Sequence, residues 1–110
     1  MKTGALTRDS RQTVIARVKR DPALAKSLLD EAATLFLNGE PDVARLVLRD
    51  LVHATVGFEH LAIATGKPAK SLHRMLTVRG NPTMDNLAAI IGVLRKHLGV
   101  KLAARAVRAA

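Results

Sequence analysis

The sequence predicts an all-α fold, a compact multi-helix bundle, on three observations. Apolar residues recur at three- and four-residue steps along most of the chain. The hydrophobic fraction is 48%, yet Phe36 and Phe58 are the only aromatic residues, so the core must be assembled from Leu, Ile, Val and Ala. Gly, Pro and Asn-Gly signals cut the pattern into helix-sized lengths. At 110 residues the chain suits one domain, 1–110.

The first helix is expected from Thr7 to Arg20, with Thr7 as cap, Asp9 in the first turn and Val14, Ile15 and Val18 as a narrow apolar stripe. Asp21 caps the second and Pro22 suits its first position, while Asn38–Gly39 ends it. Leu24, Leu28, Ala32, Leu35 and Phe36 mark its core face. The third helix opens at Pro41 and stops near Gly57. Val43, Leu46, Val47, Leu51 and Ala54 form its inner side, with Arg45, Arg49 and Asp50 largely elsewhere. Leu48 and Val52 add a second apolar side that a dimer would share.

A short helix from Phe58 to Thr65 closes at Gly66, and another runs from Pro68 to Thr77. The "RGNP" stretch, Arg79 to Pro82, is a turn. Thr83 caps the last long helix, which carries Leu87, Ile90, Ile91, Leu94 and Leu98 to Gly99. Gly92 inside it costs about 1 kcal/mol of helix propensity relative to alanine, which suggests close packing there. The tail, 99–110, is ambiguous. Its alternation of Val100, Leu102 and Ala104 with Lys101 and Arg105 favours an extended segment slightly over a helix.

Charge separates the chain into unlike halves. Residues 1–57 carry nine Lys/Arg against seven Asp/Glu, whereas residues 58–110 carry nine against Glu59 and Asp85 alone. That basic excess points to a polyanion, most commonly nucleic acid. Scarce aromatics leave little to stack single-stranded bases on, so duplex DNA is the better candidate. With no cysteine, disulfides and thiolate metal sites are excluded. The N-terminus has no apolar signal core and no run reaches membrane-spanning length, so a cytoplasmic protein with no membrane partner is expected.

Two of the short helices make a helix–turn–helix. Such a unit needs a small residue where its helices cross and a turn residue that tolerates positive φ. Ala62 and Gly66 supply these, and Leu61, Leu72 and Met75 lock the pair. Ala69, Lys70, His73, Arg74 and Thr77 are then expected on the outer face of the second helix, as a major groove would require. Lys67, Ser71 and Arg79 flank it as backbone anchors. Pro68 leaves the helix start open to a phosphate.

"FEHLAIATGKPAKSLHRMLTVRGNPTMDNLAAIIGVLRKHLGV", Phe58 to Val100, resembles the Cro/repressor (Xre) type of helix–turn–helix. Upstream, "RDPALAKSLLDEAATLFLNGEPDVARLVLRDLVHATVGFEHLA" is similar to addiction-module antidote proteins, the HigA-like antitoxins of type II toxin–antitoxin systems. The likeness runs from about Thr7 to Val100. It implies a bacterial or phage-derived homodimer that binds operator DNA and represses its own operon, with a small RelE/HigB-like ribonuclease toxin as a further partner. By position, DNA contacts would fall on Ala69, Lys70, His73 and Arg74, with Lys67 and Ser71 at the backbone. Lys67 stands where the family usually has an apolar residue, a departure at the start of the reading helix.

Within that reading, 7–57 are N-terminal helices open to a toxin or a dimer partner, 58–98 hold the helix–turn–helix with its packing helix, and 99–110 are the tail. RelE-like toxins tend to be basic, so the near-balanced half with Asp30, Glu31, Glu40 and Asp42 around Gly39 is the better toxin-facing surface.

Other chemistry is poorly supplied. His53, His60, His73 and His97 lie on separate segments with no His-x₃-His pair, so neither a metal nor a cofactor is expected. No Gly-x-Ser-x-Gly surrounds Ser71, and "GKPAKS" lacks phosphate-loop spacing, so no enzyme is expected. Two alternatives belong to other classes: a stand-alone Xre-type regulator without a toxin, and a protein-interaction module that does not bind DNA.

Overall fold

A computed structural model describes the backbone of residues 3–110 and the side chains from residue 12 onward. Six helices follow one another among the described residues: α1 (Thr3–Arg20), α2 (Pro22–Leu37), α3 (Pro41–Ala54), α4 (Gly57–Thr65), α5 (Ala69–Met75) and α6 (Met84–Leu98). None of these residues forms a strand. No helix among them is long and apolar enough to cross a membrane.

α1 begins before the expected Thr7, which therefore lies inside the helix rather than capping it. Ala5 and Leu6 are good helix formers and carry the helix back past the anticipated cap. The side chains of Thr7 and Asp9 fall outside the described residues.

The next junction follows the sequence closely. Asp21 adopts an extended backbone, and its carboxylate accepts from the N–H groups of Ala23 at 3.0 Å and Leu24 at 3.4 Å. Two otherwise orphaned donors at the start of α2 are thereby satisfied. At the other end, Asn38 Nδ2 donates to the Thr34 carbonyl at 2.8 Å, and the Glu40 N–H reaches back to Leu35 at 2.9 Å.

Burial departs from the expected stripes by a rotation. On α2 the fully enclosed residues are Ala25, Leu29 and Ala32, while Leu24, Leu28, Leu35 and Phe36 are half-buried. On α3 they are Ala44, Leu48, Leu51 and Val52, and Val43 is half exposed at 50%. The cause is that both helices are packed on more than one side: α2 meets α1, α3 and α6, and α3 meets α1, α2 and α4. Leu48 and Val52, expected on a shareable second side, are in the core of this one chain. The cluster of buried residues extends from Val18 on α1 to Leu94 on α6.

α6 starts as expected. The Thr83 hydroxyl accepts from the Asn86 N–H at 3.1 Å, and Leu87, Ile90 and Leu94 face inward. Gly92 corrects the packing expectation, since a Cβ added there would meet nothing within 4 Å. Beyond Gly99 the tail is neither helix nor strand. Val100 and Leu102 pack against the core, and Arg95 Nη1 donates to the Val100 carbonyl at 3.3 Å.

Candidate nucleic-acid interface

The turn between α4 and α5 is set by Gly66. Its φ is 71°, and its N–H donates to the Ala62 carbonyl at 2.9 Å. An added Cβ would meet open space, so the left-handed backbone, not crowding, calls for glycine. Pro68, extended at ψ 139°, redirects the chain, and its carbonyl accepts the first helical bond from Leu72 at 3.1 Å. Leu61 on α4 and Leu72 on α5 are fully buried, and half-buried Ala62 and Met75 pack on the same core.

This arrangement sorts the expected contact residues. Lys70 and Arg74, four apart and so on one helical face, are exposed. Arg79, in the turn beyond, is exposed as well, and Lys67 and Ser71 are half-buried at the flank. Three others are placed differently. Ala69 packs against the core. His73 stacks on Phe58, with ring centroids 3.7 Å apart and planes 16° from parallel. Thr77 lies past the end of α5, which stops at Met75, and its hydroxyl donates back to the Arg74 carbonyl at 2.9 Å. The outward face is therefore narrower than five residues and centres on Lys70 and Arg74.

Phe58 is the hub of a ring cluster. His53, at the end of α3, meets its edge at 4.9 Å and stands 5.5 Å from the His73 ring. Two of the four histidines are thus drawn to one aromatic ring. No group of three metal-ligating side chains occurs among the described residues.

The segment after α5 is held by a residue that sequence reading placed outside the core. Arg45 is buried, 7% exposed. Its Nε donates to the Thr77 carbonyl at 2.8 Å, and its Nη2 donates to the Val78 carbonyl at 2.7 Å and pairs with Asp42 at 3.0 Å. The Asp42 side chain is 72% exposed, so water screens that pair and it contributes little. The two carbonyls, bound by a charged donor in a sheltered position, dominate. Thr77 also accepts from the Gly80 N–H at 3.0 Å, which folds "RGNP" onto the end of α5. A Cβ on Gly80 would collide with the Met75 carbonyl oxygen and come within 2.8 Å of that of Arg74. Glycine is required here by close approach.

No periodicity could have announced Arg45, because its acceptors are backbone atoms on a distant segment. The one local signal was that it borders the Ala44–Leu48–Val52 row rather than opposing it. No family model, curated protein or solved structure matches the chain.

Proposed function

We propose that the chain is a sequence-specific duplex-DNA-binding protein that represses its own operon, acting as the antitoxin of a type II toxin–antitoxin module. The observation that carries the DNA reading is the α4–Gly66–α5 unit with Lys70 and Arg74 on its outward face and Arg79 beside it. Arginine pairs bidentately with guanine, and lysine donates to base or phosphate acceptors. One short helix covers few base pairs, so binding as a homodimer follows, with half-sites roughly 34 Å apart.

The antitoxin part rests on the resemblance of the upstream half and on one surface. Leu37 and Val43 are exposed at 68% and 50% on either side of the α2–α3 turn, next to the carboxylates of Glu40 and Asp42. Apolar residues ringed by acids suit a basic protein partner such as a RelE/HigB-like toxin.

An anisotropy titration against the region upstream of the gene and a scrambled duplex, at two salt concentrations, tests the DNA reading. Tight binding that prefers the upstream region is expected. Equal, steeply salt-dependent binding to both would reduce it to phosphate attraction. Co-expression with the product of the adjacent reading frame tests the antitoxin part: a stable complex is expected, and its absence would leave a regulator without a toxin.

A further inference from the structure

Along α3, Arg45, Arg49 and His53 follow at four-residue steps, so they share one face and rise by roughly 6 Å each. Both ends of this row touch the α5 region. Arg45 binds the carbonyls of Thr77 and Val78, and the His53 ring stands 5.5 Å from that of His73. Arg49, between them, accordingly runs beside the stretch from His73 to Thr77, which includes exposed Arg74.

Arg49 differs from Arg45 in one respect. Its Nε is buried and has no hydrogen-bond partner among the described residues. A buried donor without an acceptor is uncommon in folded proteins and calls for a partner from outside. Arg49 as a whole is only half-buried, and the neighbouring surface carries Arg74 and Arg79. An anion is the partner such a surface accepts.

We propose that Arg49 is a phosphate anchor, its guanidinium holding the DNA backbone at the edge of α5 while Lys70 and Arg74 face the bases. The inference rests on the DNA-binding reading above. Arginine suits the role because its planar fork matches phosphate oxygens and is always charged. A backbone contact of this kind fixes register without selecting sequence. Arg49 would thus add a second helix, α3, to a surface otherwise built from α5 and the turn after it.

The test compares the wild-type chain with Arg49→Gln and Arg49→Met, and with Lys26→Gln as a charge control on α2, which packs on α1, α3 and α6. Affinity for the upstream duplex and for a scrambled duplex is measured from low to moderate salt. Losing one phosphate contact lowers the slope of log K against log salt by about 0.9. The Arg49 variants are expected to show that change, with affinity falling severalfold on both duplexes and an unchanged denaturation midpoint. Lys26→Gln is expected to keep the wild-type slope.

Wild-type binding with an unaltered slope in the Arg49 variants would overturn the anchor alone. So would an equal slope change in Lys26→Gln, which would make it a net-charge effect. A wild-type chain that binds neither duplex would overturn the DNA reading and the anchor together. Unfolding of both Arg49 variants would make Arg49 a packing residue and overturn the anchor.

Discussion

Arg45 and Thr77, 32 residues apart in the chain, are joined by a 2.8 Å hydrogen bond from a buried guanidinium to a backbone carbonyl. With the companion bond to Val78, it ties the first turn of α3 to the segment that leaves α5. The position of α5 therefore depends on a helix that precedes the helix–turn–helix.

Arg45→Met should lower stability by about 2–4 kcal/mol, because two sheltered carbonyls lose a charged donor. Urea denaturation reads this as a lower midpoint at constant slope. A shift within about 0.5 kcal/mol would mean that the turn after α5 holds itself. Asp42→Asn should do far less, since that carboxylate is largely in water.

Gly80→Ala should be poorly tolerated. Its methyl would have to displace the last carbonyls of α5, at a cost of about 2 kcal/mol or more. Duplex binding by this variant is expected to weaken with it. Wild-type stability would mean that the turn relaxes freely.

Gly92→Ala should act in the opposite sense. The position is helical and a methyl meets open space, so alanine should stabilise by about 0.5–1 kcal/mol. A thermal melt showing a loss instead would place a contact against α6 that the single chain does not contain, such as a second copy.

Arg74 and His73, adjacent on α5, should separate function from folding. Arg74→Ala is expected to cost about 1–3 kcal/mol of operator binding and to relax one operator position, with no change in the melt. His73→Ala is expected to lose about 0.5–1.5 kcal/mol of stability through the Phe58 stack. The reverse pattern would put His73 on the reading face, where sequence reasoning expected it.

Features that depend on a few neighbouring residues were legible in the sequence. The Asp21 and Thr83 caps and the Gly66 turn each require a particular side chain within one turn of the helix end, and each appears as expected. The face of α3 was not legible, because Ala44 carries little hydropathic weight while Val43 and Leu46 carry much. Packing on α1, α2 and α4 then decided which side went in. His73 was misplaced for a related reason. Its ring is polar enough to suit an outer face, and only the third dimension brings Phe58 beneath it. Thr77 was included by extending α5 two residues beyond Met75, whereas Gly80 and Arg45 together take those carbonyls out of the helix.

The length of α5 carries one more consequence. Seven residues lie well below the roughly 12–15 at which an isolated helix becomes even marginally stable in water. The element bearing Lys70 and Arg74 therefore has no existence separate from α3 and α4. Its backbone amides should exchange with solvent through openings shared with those helices, as one cooperative unit. Changes in α3 that never approach DNA will then register as changes in how often the reading surface is assembled.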